Sequence, residues 1–161
     1  MSSAKTKAPK AKTTLVCENR KARHSLQIEE TFEAGIALVG TEVKALRAGR
    51  AHLSEAYVQV VGGQAVLIGG HIAEYSHGNQ FNHVPARSRR LLLHRHQIDK
   101  LATRLTQQGY TALPLSLYFN EVGLAKVSFG IGRGKGQRDK RADIKARDAD
   151  REVARVLRRG R

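Results

Sequence analysis

The chain is short of cysteine, proline, aromatic rings and acid. Its 161 residues hold one Cys, three Pro, no Trp and only 14 Asp+Glu. A single Cys, Cys17, excludes an intrachain disulfide framework and paired-Cys zinc modules. No stretch approaches the roughly 18–20 uninterrupted apolar residues of a membrane span. Aromatics make up 5%, too few for the wide base-stacking platform of an RRM or cold-shock domain. The first residues do not read as a secretory signal. Lys5, Lys7, Lys10 and Lys12 lead into Thr13-Thr14-Leu15-Val16 with no apolar segment of signal length. A reducing cytoplasm is the expected compartment.

What the chain has in excess is base. There are 29 Lys+Arg and the formal net charge is +15. Residues 1–13 hold four Lys and no acid; residues 14–132 hold 13 bases and nine acids; residues 133–161 hold 12 bases and five acids. A moderately charged body therefore carries two cationic ends, and a polyanion is the expected partner. The ends lack the Trp/Phe/Leu face of an interfacial helix, so nucleic acid is favoured over a membrane surface. With 40% apolar residues the middle can bury a core.

Residues 1–14 read as a flexible basic leader. The apolar positions of Leu26-Gln-Ile28, Phe32 and Ile36-Ala-Leu38-Val39 predict strand, with a bend at Gly35. Thr41 is the predicted cap of a short helix that carries Val43 and Leu46 and stops at Gly49. Tyr57–Val61 and Ala65–Ile68 flank Gly62-Gly63, a hairpin signal. Residues 74–90 read as irregular. Leu91, Leu92, Ile98, Leu101, Ala102 and Leu105 predict one helix ending at Gly109. Leu113–Phe119 alternates, with Pro114 placing it at a sheet edge or turning the missing donor outward. Val127, Phe129 and Ile131 alternate again. About six short antiparallel strands with two helices predict a mainly β fold, a small OB-like barrel over residues 15–132. Residues 133–161 form a basic tail. It is rich in helix formers over 139–158 but opposed by the like-charged Arg147/Arg151 and Arg151/Arg155 pairs, and is expected to be loose when free.

Chemistry-bearing constellations are sparse. His94 and His96 lack a third ligand at metal spacing, so no metal is expected. Cys17 has cationic neighbours, Arg20, Lys21 and Arg23, that could lower a thiol pKa, but an incidental cysteine is the simpler reading. Glu29, Glu30 and Glu33 cluster in sequence, either as a charged strand face or as the carboxylates of an RNA-modifying enzyme. Gly130–Gly136 fails phosphate-loop spacing and reads as a flexible hinge with two bases. The remaining signal is binding. Lys44, Arg47 and Arg50, then Arg87, Arg89 and Arg90, then Lys126 could converge on one face that recognises the shape and backbone of a folded RNA. A structural ribosomal protein would fit that composition as well.

Several ordered segments carry a resemblance. They include Asn19-Arg-Lys-Ala-Arg-His24, Ile28-Glu-Glu, Phe32-Glu-Ala-Gly35, Gly40-Thr-Glu-Val-Lys44, Leu46-Arg-Ala-Gly49 and Gly78-Asn-Gln-Phe-Asn-His83. Arg90-Leu-Leu-Leu-His94, Asp139-Lys-Arg141 and Ile144-Lys-Ala-Arg-Asp148 follow in order. Together, over residues 19 to about 150, they resemble the SmpB (SsrA-binding) family.

The resemblance implies an OB-type barrel and no enzymatic activity or cofactor. It implies binding to the tRNA-like domain of transfer-messenger RNA (tmRNA) as a mimic of part of a tRNA, one monomer per RNA. The complex would be delivered to ribosomes stalled on messages without a stop codon, for rescue and nascent-chain tagging. The tail would enter the small-subunit decoding centre and the empty mRNA channel and become helical there. The implied tmRNA contacts are Glu33, Glu42, Lys44, Arg90, Leu92, His94 and Lys126. The implied ribosome-binding tail residues are Lys135, Arg138, Asp139, Lys140, Arg141, Lys145 and Arg147. Arg138 stands where family members often carry Tyr or His, and its guanidinium plane can stack in their place.

Overall fold

The computed structural model describes residues 13–159. The leader expected over 1–14 lies outside these residues up to position 12, and Thr14 already opens the first strand. In chain order the elements are β1 (Thr14–Glu18), α1 (Arg20–Ser25), β2 (Leu26–Ile36), α2 (Gly40–Arg47), β3 (Ala51–His52), β4 (Tyr57–Val61) and β5 (Gln64–Ile68). Then come β6 (His71–Ile72), a 3-10 turn (Asn79–Phe81), β7 (Arg89–Leu92), α3 (Arg95–Leu105), β8 (Tyr110–Phe119), β9 (Ala125–Gly134) and α4 (Gln137–Arg159).

Alternation in the sequence becomes a closed sheet. Pairing runs β4-β5-β7-β2-β9-β8, and the Val58–Ala112 pair of β4 and β8 closes the ring. β1 adds to the outside edge of β8, while β3 and β6 form a separate two-stranded sheet. Closure leaves the ring no unpaired edge through which it could aggregate. One residue in two points inward. Phe32, Phe129, Leu67, Leu91, Leu117, Val127 and Ile131 fill the interior with exposures below 9%, and the rings of Phe32 and Phe129 stack at 5.5 Å. Helix α3 packs against β4 and β8 and inserts the fully buried Leu101.

Four local expectations change. Leu91 and Leu92 belong to strand β7, not to the helix: His94 is extended and α3 starts only at Arg95. The run of leucines crosses a strand and a helix without changing composition, so periodicity merged them. The cap of α2 is Val39 rather than Thr41. Thr41 instead donates its hydroxyl to His83 Nδ1 at 2.9 Å, because His83 Nε2 donates to the Ile72 carbonyl and leaves Nδ1 as acceptor. Pro114 is not in an edge strand: it is buried in β8 and pairs with Phe129 of β9 beside a register shift before Ser116, while on the other side β1 pairs with β8 only from Ser116 to Phe119 and β4 only at Ala112. Gly130, Gly132 and Gly134 lie in strand β9 and are not a hinge. A Cβ on Gly132 would lie 1.8 Å from the Gln27 carbonyl oxygen, so glycine is required where β2 and β9 approach beside their bulge.

The tail is one helix from Gln137 to Arg159, and every described side chain on it is exposed, Ile144 included. No helix among the described residues is long and apolar enough to cross a membrane.

Candidate nucleic-acid interface

Four elements converge on one groove. Strand β2 delivers Glu33, β7 delivers Arg90 and Leu92, the turn into α3 delivers His94, and β9 delivers Lys126. Gln64, Leu91, Leu93, Gln97 and Ile98 complete the lining of this open cavity of about 530 Å³. The fold brings these positions together because β2 is the common neighbour of β7 and β9. Gly35 pairs with Leu92, and Glu33 faces Ser128, two residues along β9 from Lys126.

Each side chain is presented. Leu92 is 52% exposed, although a leucine in a strand is ordinarily core. Its side chain lies over Gly35, where an added Cβ would meet Leu92 Cβ at 3.3 Å. Arg90 alternates outward from the buried Arg89 and Leu91. The backbone N–H of His94 donates to Gln97 Oε1 at 3.1 Å, and its ring stacks on His96 at 5.9 Å between centroids. No group of three or more His, Cys, Asp or Glu side chains placed to hold a metal ion occurs among the described residues.

The three glutamates read as a cluster are dispersed by the strand. Glu29 accepts from the Tyr110 hydroxyl at 2.9 Å and lies 3.7 Å from Arg104. Glu30 pairs with Lys100. Glu33 accepts from the Tyr118 hydroxyl and lies 4.0 Å from Lys126 Nζ. Tyr118, which the sequence analysis did not single out, reaches the groove's Glu33 with its hydroxyl. Outward alternation on β8 gave no signal that it would reach across to Glu33.

Glu42 is a correction. Its side chain has 0% exposure, so it has no surface to offer an RNA. It accepts from Arg87 at 2.6 and 2.7 Å, from Arg89 at 2.8 Å and from the Val39 N–H at 2.9 Å. Burial alone would push this carboxyl up. The Arg87 hydrogen bonds, the Val39 N–H and the Arg89 charge outweigh burial and hold it below its ordinary value. Arg89, 1% exposed, also donates to the carbonyls of Gly70, Arg87 and Pro85. The network ties the irregular 85–89 segment to α2 immediately before β7 enters the groove.

Lys44 is exposed but lies elsewhere. It stands over the Tyr75 ring at 5.2 Å and lines a second groove with Thr41, Phe81, Asn82, His83 and Arg87. The cations near Cys17 in sequence do not activate it: burial pushes its thiol up to about 11 against an opposing backbone hydrogen bond at Leu117.

On the tail side, the backbone N–H of Lys135 donates to the Ser25 carbonyl at 2.8 Å, fixing the chain just before α4. Arg141, Lys145 and Arg147 are exposed on α4. Arg138, Asp139 and Lys140 fall in its first turn, and their side chains lie outside the described residues.

Comparison with known proteins places this geometry. The family model described as "SmpB protein" matches residues 16–159. The SsrA-binding protein of Moorella thermoacetica is 54% identical over 144 residues, 89% of this chain and 93% of that one. The SsrA-binding protein of Zymomonas mobilis is 50% identical over 147 residues, 91% of this chain and 92% of its own length. Among solved structures, a chain described under tmRNA-SmpB in the bacterial ribosome superposes with a TM-score of 0.64 at 47% identity. The superposition covers 75% of this chain and 85% of that one.

Proposed function

The chain belongs to the SmpB family, and from that premise we propose that it binds the tRNA-like domain of tmRNA through the Glu33–Arg90–Leu92–His94–Lys126 groove. It acts in trans-translation as a mimic of part of a tRNA, delivering tmRNA to ribosomes stalled without a stop codon. One observation carries the assignment of the groove: five of the seven expected contact residues, separated by up to 93 positions in sequence, line a single cavity. Arg90 and Lys126 supply charge for phosphates, Leu92 an apolar surface for an unstacked base, and His94 a ring that can donate or stack. Glu42 serves as the buried anchor of that face, and Lys44 lies on a neighbouring one.

The barrel and the tail divide the work. The body grips the RNA; the exposed cations of α4, with Lys135, Arg138 and Lys140, meet ribosomal RNA phosphates in the decoding centre and mRNA channel. Phosphates neutralise the like-charged arginine neighbours that weaken this helix in free solution. No catalytic group is needed, since peptidyl transfer belongs to the ribosome, and the cytoplasm is where that partner resides.

Gel-shift titration of the purified protein with the tRNA-like domain and with bulk tRNA at physiological salt tests the reading. A clear preference for the tRNA-like domain is expected. It should weaken by about 1–3 kcal/mol in Glu33→Ala and in His94→Ala, if each loses a direct charged or ring hydrogen bond. Equal affinity for both RNAs overturns it.

A further inference from the structure

A carboxylate stands in the middle of a surface built for phosphates. The Glu33 side chain is 59% exposed in a groove whose other charged members are Arg90 and Lys126. Lys126 Nζ, at 4.0 Å, is too distant for a hydrogen bond and leaves the carboxylate's acceptors open. Against RNA such a group meets repulsion from the backbone unless it faces donors, and an ionised carboxylate can only accept. RNA donors are base amino and imino groups and ribose hydroxyls. Guanine's Watson–Crick edge carries two adjacent donors, N1–H and the N2 amino group. Their parallel spacing matches the two carboxylate oxygens as an Arg fork does.

The carboxylate is held ready for this. The Tyr118 hydroxyl donates to Glu33 Oε2 and takes one of its lone pairs. Burial, and then the Glu33 hydrogen bond and charge, push this phenol up to about 12, so it remains a donor across the physiological range. Leu92 stands in the same groove with its apolar surface bare.

We propose that the groove reads the Watson–Crick edge of one unpaired guanine through Glu33, with Tyr118 as the positioning residue that aims the carboxylate. This rests on the reading that the groove takes the tRNA-like domain. It adds base identity, and a residue outside the expected contact set.

The test is an inosine scan. Each unpaired guanosine of the tRNA-like domain is replaced in turn by inosine, which lacks the N2 amino group, and the affinity of the full-length protein is measured. At one position wild-type affinity falls about tenfold, as for loss of a hydrogen bond to a charged group. At that position guanosine and inosine RNAs bind Glu33→Ala equally. Tyr118→Phe, which keeps the ring, shrinks the guanosine–inosine difference and has no further effect in the Glu33→Ala background. Thermal melting of both variants reports folding, and Glu33→Ala, an exposed change, carries the test if Tyr118→Phe melts early. No inosine-sensitive position, sensitivity that persists in Glu33→Ala, or coupling of Glu33 to a 2′-deoxy substitution instead overturns the proposal. Failure of unmodified RNA to bind wild-type protein is a different result: it overturns the tmRNA reading, and this one with it.

Discussion

The barrel and the C-terminal helix handle positive charge in opposite ways. In the barrel, several cations are matched to acids across strands and helices. Glu42 takes Arg87 and Arg89, Glu30 takes Lys100, and Glu29 takes Arg104. In α4, the Arg151–Asp148 pair at 3.8 Å is solvent-exposed, where such contacts contribute little. Ile144 on the same helix is exposed. A region that satisfies its charges internally keeps one shape. A helix whose described side chains are all exposed has no such internal support.

The contrast can be broken most forcefully by removing one side of it. Deleting residues 138–161 should abolish tagging of nascent chains on stalled ribosomes while leaving affinity for the tRNA-like domain within about twofold. Gel shift and an in vitro tagging assay read the two separately. Loss of RNA binding in the truncated protein would erase the division. Next in size is a test of where the stability resides. Phe129→Ala should cost about 3–5 kcal/mol in denaturant unfolding, as expected for a fully buried aromatic. Ile144→Ala should change stability by less than about 0.5 kcal/mol.

The smallest effect concerns acid. Glu42 is held below its ordinary pKa in the folded state. Its stabilisation is therefore complete above the ordinary carboxylate range and lost as pH falls through the depressed folded value. Glu42→Gln should lower stability at neutral pH by about 1.5–3 kcal/mol. It should also flatten the stability profile below about pH 4.3, the unperturbed value for Glu. Unfolding midpoints at stepped pH check both. An unchanged acid slope in Glu42→Gln would show that other carboxylates govern it.

Much of the barrel was legible because period-two alternation survives in Val127-Phe129-Ile131 and in the Gly62-Gly63 hairpin, whose two glycines both take positive φ. The helix formers over 139–158, expected to be loose when free, lie within one helix, Gln137–Arg159. Strand β1 was lost to its neighbours, since Thr14–Glu18 pairs only through β8, about 100 residues on. The positions that line the groove were named through the family resemblance rather than through pattern. Leu92 looks like core until its pairing with Gly35 is known. Glu42 and Arg89 look like surface charges until each is found to be the other's buried partner, 47 residues apart. Tyr118 carried no signal, because its meaning depends on Glu33, 85 residues away.

Strand β9 carries Lys126 near one end, and two residues beyond its other end the chain enters α4. Eight residues of extended backbone separate Lys126 from Gly134, a span of roughly 27 Å. The strand is hydrogen-bonded along most of that length to β2 and β8 and has little freedom to stretch. It therefore fixes the interval between the Lys126 end of the groove and the point where the chain enters α4. Lengthening it by two residues would keep every side chain on its own face yet change that interval.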